Sequence, residues 1–388
     1  MVILGAGPAG LVLGNLLLRA GIDCAILERS GRDDIRHRQR AGFLAAHTVG
    51  VLARNGLDEG LSRYGQEHRV CEFRTVDGRF RLDYGRLGAK EPHTVYPQHR
   101  LVADLLDSFL GAGGRIRFDT EALAVHDTDG PAPSVTVRDP DGHPGRWQAR
   151  YVAACDGQHG AGRRSLRPGA VRHNRRDHGV SWLGLLAEAP PSLDAVGYAV
   201  HPHGFAGHMA RSTDITRYYL QCTPGTRADA WSDTCVWDEL DTRMRAADYG
   251  PLTRGRIVQR TVVGLRSDVL EPLRHGRLLL AGDAAALISP SAAKGANLAI
   301  LEAELLAHAL TAALVHGDAA PLDRYSDRCL THIWRAQEFS HWMIGLLHAV
   351  PGAEGASPFE ERMRGSRLAA LRDSPTTQDW FAENYVGV

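Results

Sequence analysis

The first chemistry to be read lies in Gly5-Ala6-Gly7-Pro8-Ala9-Gly10, which follows a short apolar stretch from Val2 to Leu4. Leu11 to Arg19 has helical spacing, Gly21 ends it, and Asp23 to Leu27 reads as a second apolar strand closed by Glu28. Each glycine has a task beside a pyrophosphate. Gly5 makes the tight turn, Gly7 lets backbone approach the phosphates, and Gly10 lets the helix pack on the strand. The helix N-terminus then turns its N–H groups and positive dipole end to the phosphates. Glu28 can accept bonds from both hydroxyls of a ribose. A chance glycine-rich turn would not explain the spacing to Glu28, so the segment predicts a βαβ unit holding a dinucleotide.

A second site lies far along the chain. Arg277 to Ala281 reads as an apolar strand ending in Gly282-Asp283, ahead of a long helical run from Lys294 to Leu314. An Asp at that turn can bind the sugar-like chain of a flavin. A helix beginning near Gly295 aims its dipole at the turn, which suits the negative charge of a reduced flavin. No second GxGxxG exists. These features predict FAD rather than NAD as the resident cofactor.

The elements that must position these residues follow a coarse pattern. His68 to Tyr84 alternates like a β-hairpin, Arg100 to Leu110 looks helical, and Val135 to Arg138 and Trp147 to Ala154 look like strands. Trp182 to Ala187, Gly197 to His201 and Tyr218 to Cys222 suggest a second, strand-rich region, and helices follow around 321–348 and 357–371. The expected fold is α/β. A Rossmann-type FAD-binding domain of the GR2-like kind (1–172, returning at 282–283) carries an inserted β-rich substrate domain (173–287) and a helical C-terminal region (288–388).

Composition bounds the rest. The 45 basic and 45 acidic residues of this 388-residue chain cancel, which removes the electrostatic reason to expect nucleic acid. No apolar stretch is read as reaching the ~18 residues of a membrane helix, and the N-terminus lacks the basic flank of a signal peptide. The six cysteines form no CxxC pair, which reads as reduced and cytoplasmic, without a zinc site. His201, His203 and His208 have no acid partner and read as loop histidines, so no metal is expected. Trp334, Phe339, Trp342 and Met343 on one helical run suggest a homodimer contact.

GAGPAG at 5–10, CDG at 155–157 and GDAA at 282–285 resemble the three signatures of the class A flavoprotein aromatic hydroxylases. Further motifs resemble the 4-hydroxybenzoate 3-monooxygenase branch of that family. They are LERS and RQRAG near Arg29 and Arg40, VYPQ ending at Gln98, WLGLLAEAPP from Trp182, YAVHPHGFA from Tyr198, RYYLQ from Arg217, AKGANLA from Ala293 and AENYVG from Ala382. The likeness runs the length of the chain. It implies an FAD-dependent monooxygenase that hydroxylates a phenolic aromatic acid with NADPH or NADH and O2, through a flavin C4a-hydroperoxide.

The resemblance also implies roles. Arg40, Gln98, Arg217, Asp283 and Asn297 would join Gly5, Gly7, Gly10 and Glu28 around FAD. Arg211 would pair with the substrate carboxylate, and Tyr219 would donate a further hydrogen bond there. Tyr198 would meet the phenol oxygen and pass its proton to Tyr385, with His68 leading to solvent and the Pro290 carbonyl also facing the phenol. Arg38, His159, Arg163 and Arg266 would hold the nicotinamide dinucleotide. Lys294, one of only two lysines, falls in the flavin-facing motif.

Five positions depart from the family pattern. Met209 stands where the family has a carboxylate-binding serine, Gly207 where it has leucine, and Phe43 where it has valine. Ala292 replaces a glycine and Ala286 a histidine. The phenol apparatus is kept while the pocket walls differ, so a substituted acid, such as an amino-hydroxybenzoate, fits as well as plain 4-hydroxybenzoate. The competing readings are a flavoprotein oxidase or epoxidase, and a flavin-binding redox sensor without turnover. No WxWxIP motif of the flavin halogenases is present.

Overall fold

The computed structural model describes residues 1–37, 42–247, 249–348 and 357–387. Val2–Leu4 lies inside a six-stranded sheet. Its order is Arg274–His275, Leu278–Leu280, Val152–Ala154, Val2–Leu4, Ala25–Leu27 and Arg115–Arg117, parallel except for the first pair. Its central strands are short aliphatic runs buried throughout, as a sheet covered on both faces requires. The helices Pro8–Arg19 and Gly295–Val315 pack on each other and into the same core. The first long helix of the C-terminal third therefore belongs to the core of the dinucleotide half.

That helix corrects one expectation. By length and composition Gly295–Val315 could cross a membrane, although 67% of its most apolar window is buried in the protein. It carries Glu302 and Glu304, both buried, which identifies it as a core helix.

The strand-rich region is an eight-stranded sheet. Its middle runs Arg256–Glu271, Arg172–Glu188, Thr216–Cys222, Ala206–Ala210, Val196–Ala199 and Val70–Thr75. Neighbours are antiparallel except that Val196–Ala199 runs parallel to Val70–Thr75. Alternation decides which residues face which side. Leu183, Leu185, Tyr218 and Leu220 pack with Val236, Trp237 and Leu240 of the helix Asp233–Arg243. On the other side Phe73, Trp182, Tyr198 and Phe205 pack with Phe339, Met343, Phe381 and Tyr385 of the C-terminal helices.

Other expectations change in detail. The hairpin read over 68–84 divides. Val70–Thr75 and Gly78–Asp83 join the large sheet, while Gln66–His68 pairs with His93–Val95 in a small one. Phe339 and Met343 lie inside the chain's own core, which leaves Trp334 exposed on that helix. His208 is a buried strand residue near the Leu193 N–H, not a loop residue.

Candidate active site

The glycine turn is built as its spacing demands. Gly5 has φ +91°, and a Cβ there would lie 2.6 Å from the Cys155 carbonyl oxygen. A Cβ on Gly10 would lie 2.0 Å from the Gly5 carbonyl oxygen, so only hydrogen fits between helix and strand. A Cβ on Gly7 would meet nothing within 4 Å. Gly7 caps the Pro8–Arg19 helix, and no side chain accepts from the first-turn amides. That uncapped, open helix start is the cradle a pyrophosphate fits. Glu28 closes the second strand, buried, accepting from Ala6 N–H at 2.8 Å and Ser30 N–H at 2.9 Å.

The second wall repeats the device. The Gly295–Val315 helix also begins without a side-chain cap, and a Cβ on Gly295 would meet nothing within 4 Å. Asp283 lies on the half-buried turn Gly282–Ala284. Gln98 opens the helix Gln98–Gly111. Asn297 behaves differently from expectation. Its amide donates to the Phe43 and Ala293 carbonyls, and its Oδ1 accepts from Ala45 N–H and Thr48 Oγ1. The side chain is spent on pinning residues 43–48 to the helix. What it can offer a flavin is its backbone N–H. The residues present therefore fit FAD.

Behind this turn lies a group that the spacing did not reveal. Glu302 is 2% exposed and accepts from Gly282 N–H at 2.6 Å. Burial pushes its carboxyl up to about 8, against the Gly282 bond. A carboxyl raised in the folded state binds more protons there than in the unfolded chain. Stability should therefore fall as pH rises from about 4.5 to about 8. Glu302→Gln keeps an acceptor for Gly282 and cannot ionise. Denaturant unfolding of both proteins across that window should show a flatter slope for the variant, and equal slopes would contradict the assignment.

The substrate side is organised by strand register. Tyr198 lies opposite Gly207, Gly207 opposite Tyr219, and Met209 opposite Arg217. Alternation puts all of them on one face. Arg211 follows just past the Ala206–Ala210 strand, 8% exposed. Burial, then the charge of Arg217, depresses its pKa. Arg217 sits 5.4 Å over the Tyr219 ring, its Nε and Nη1 buried without an acceptor. Such buried cationic donors are costly unless an anion meets them. Gly207 does not leave an open gap, since a Cβ there would lie 2.9 Å from Phe205 Cζ. Tyr219 packs on Trp182 at 4.9 Å, and Trp182 Nε1 donates to His348 Nε2 at 2.7 Å.

Tyr198 and Tyr385, 187 residues apart, bring their hydroxyls to 2.7 Å. Burial raises both pKa values, so both stay protonated. Either can donate, and the bond can therefore reverse. His68 does not join them directly. Its Nδ1 bonds the Tyr84 hydroxyl at 2.8 Å, and Tyr84 donates to the His68 carbonyl. Tyr84 sets its ring edge-on to Tyr385 at 5.0 Å. Burial lowers His68 to about 4, so the half-buried ring is neutral near neutral pH. Tyr84 itself carried no sequence signal. Pro290 opens a short turn, and its carbonyl accepts from Ala293 N–H.

The residues read as dinucleotide-binding are dispersed in setting. Arg38 lies outside the described residues, as does Arg40 of the FAD set. His159 is exposed, and Arg266 is exposed and pairs with Asp177 at 3.2 Å. Arg163 points inward. It donates to the Ala284 carbonyl at 2.7 Å and to Asp268 at 2.8 Å, and His173 bonds the other Asp268 oxygen. Burial pushes Asp268 up, but Arg163 and His173 outweigh it and hold the carboxyl low. Arg163 thus braces the turn that carries Asp283.

Comparison with known proteins fits this geometry. Residues 1–340 match the FAD binding domain family. The chain is 35% identical over 388 residues to p-hydroxybenzoate hydroxylase of Acinetobacter baylyi, covering all of this chain and 95% of that one. It is 27% identical to 3-(3-hydroxy-phenyl)propionate/3-hydroxycinnamic acid hydroxylase of Mycobacterium avium, covering 99% and 66%. Among solved structures, p-nitrophenol 4-monooxygenase of Pseudomonas putida superposes with a TM-score of 0.81 at 19% identity, covering 100% and 98%, which shows the shared fold.

Proposed function

The chain belongs to the FAD binding domain family and is an FAD-dependent aromatic hydroxylase, and from that premise we propose that its substrate is a phenolic aromatic acid. The acid is 4-hydroxybenzoate or a ring-substituted analogue such as an amino-hydroxybenzoate. One observation carries the reading. A single sheet face carries the Tyr198–Tyr385 hydroxyl pair and, further along the same strands, two cationic side chains, Arg217 one same-face position beyond Tyr219 and Arg211 two beyond Gly207. A para-hydroxy acid presents its anion and its phenol at opposite ends of one ring.

Each residue then has a physical task. Arg211 takes the carboxylate, where a planar guanidinium can bond both oxygens, and Tyr219 closes that end. Tyr198 receives the phenol proton as it hands its own to Tyr385, and Tyr385 releases its own toward solvent on the His68 side, so the ring becomes a phenolate and richer in electrons at the carbon beside the oxygen. The aromatic walls Phe205 and Trp182 keep the ring from water. Bound FAD, reduced by NADPH or NADH, supplies the transfer of one oxygen atom from O2 to that carbon. The glycine turn, Glu28, Gln98, Asp283 and the amides of the Gly295 helix hold it. A homodimer and a cytoplasmic location complete the proposal, supported by exposed Trp334 and by six thiols without a disulfide.

The test is oxidation of NADPH and NADH by the FAD-loaded protein across a panel of benzoates, with product identified. The expected result is oxidation stimulated by a para-hydroxy acid, with an ortho-hydroxylated product. Oxidation that yields only hydrogen peroxide with every acid would favour an oxidase.

A further inference from the structure

Trp182 is 4% exposed on the substrate face of the large sheet, against three other rings. Phe205 stacks on it at 5.1 Å, Tyr219 tilts against it at 4.9 Å, and the His348 imidazole lies at 5.6 Å. His348 follows the helix Tyr325–Leu347 and is also 4% exposed. Its Nε2 lies 2.7 Å from Trp182 Nε1, and its Nδ1 lies 3.1 Å from the Ile344 carbonyl oxygen. An indole nitrogen only donates and a carbonyl only accepts. The tautomer is therefore fixed, with the proton on Nδ1 and the lone pair of Nε2 turned to the indole. Burial pushes the imidazole down to about 3, so that lone pair is kept near neutral pH.

This bond joins the end of a long helix to the carboxylate end of the pocket. Trp182 stands on the strand Arg172–Glu188, whose Gly184 lies opposite Tyr219 in register. Tyr219 leans on Trp182 and carries the Arg217 guanidinium 5.4 Å over its ring. A Cβ on Gly184 would lie 3.4 Å from Arg217 Nη2 and 3.5 Å from Tyr219 Cε1, so these side chains rest directly on the strand. The helix that ends at His348 is itself anchored. Gln337 Nε2 donates to the Leu287 carbonyl at 2.9 Å, and Ser340 Oγ to the Ser289 carbonyl at 3.2 Å. A bond from this fixed helix to the indole edge holds the large ring on which Tyr219 rests. A buried indole N–H without an acceptor would be costly, and the ring would shift to find one.

We propose that His348 is a positioning residue for acid recognition, its Nε2 fixing the Trp182 indole and through it the Tyr219 ring at the carboxylate end of the pocket. This rests on the phenolic-acid reading above. His348→Leu removes the acceptor, whereas His348→Gln keeps one in its amide oxygen. Both leave the backbone N–H of residue 348 on the Ile344 carbonyl. Trp182→Phe removes the donor from the other side. The measurements are Kd for 4-hydroxybenzoate from flavin absorbance, KM and kcat for the same acid, and the pH profile of phenolate formation by the bound acid. His348→Leu should raise Kd and KM about tenfold, with kcat at saturating acid changed less than about twofold. Its phenolate profile should stay as in wild type, because the Tyr198–Tyr385 bond is untouched. His348→Gln should bind within about twofold of wild type. Trp182→Phe should lose about tenfold, and the double variant with His348→Leu should be no worse than either alone, since both remove one bond. Wild-type affinity in His348→Leu would overturn the proposal. So would a His348→Gln enzyme as weak as His348→Leu, additive losses in the double variant, or a kcat that falls as far as the affinity. If His348→Leu does not fold, the other two single variants decide. Near-wild-type affinity in His348→Gln with a tenfold loss in Trp182→Phe supports the proposal, and any other pair of results refutes it. A wild-type enzyme that binds no phenolic acid would instead sink the substrate reading, and this inference with it.

Discussion

Arg211→Ala should weaken binding of 4-hydroxybenzoate and its analogues by at least about 100-fold, because removing one partner of a buried charge pair costs about 3–5 kcal/mol. Arg211 is buried on the face that also carries Arg217, and burial, then that second positive charge, works against the Arg211 guanidinium. An incoming carboxylate answers both costs at once. Met209, opposite Arg217 in register, cannot donate a hydrogen bond, so it shares none of the load. Arg211→Lys should recover only part of the affinity, since a point charge does not reproduce the planar fork. Met209→Ser should move the other way, gaining one neutral hydrogen bond to plain 4-hydroxybenzoate, about 1 kcal/mol. Dissociation constants for a panel of benzoates, read from flavin absorbance, decide both. If Arg211→Ala binds every acid as wild type does, the carboxylate lies elsewhere. If Met209→Ser changes nothing, that position does not touch the ligand.

What could be read from the sequence follows the distance over which each feature is encoded. The βαβ turn was legible because its three glycines, its helix and Glu28 lie within 24 residues, and each glycine's task is local steric fact. The Gly282-Asp283 turn was legible for the same reason. The pair Tyr198–Tyr385 and the anchor Arg211 carried no such local signal. Only resemblance singled them out, since an isolated Tyr or Arg on a strand is ordinary. Tyr84 and Glu302 went unread. Nothing near His348 in the chain says that Trp182, 166 residues before it, will meet its ring. Asn297 shows a different limit, because a motif gives a residue's place and not how its side chain is spent.

Tyr198→Phe should leave FAD and acid binding nearly intact while the yield of hydroxylated product per NAD(P)H collapses. The expected loss is about 2–4 kcal/mol in the hydroxylation barrier, the range for a positioned acid–base group. The Tyr198 ring is one wall of a packed cluster with Phe73 and Phe205, and Phe keeps that shape. What disappears is a single hydroxyl and its 2.7 Å bond to Tyr385. Carboxylate binding does not need that hydroxyl, because Arg211 and Arg217 stand further along the strands than the Tyr198 row. Phenol ionisation does need it, because burial leaves the phenol no water to receive its proton. The two functions should therefore separate cleanly in one variant. Tyr385→Phe should produce a milder version, since Tyr198 would still meet the phenol but could not hand its proton on. Product yield and oxygen consumption, measured together across pH, give the answer. A Tyr198→Phe enzyme with wild-type yield at every pH would mean that the phenol proton leaves by another route. A loss of acid binding equal to that of Arg211→Ala would mean that Tyr198 anchors the ligand instead of ionising it.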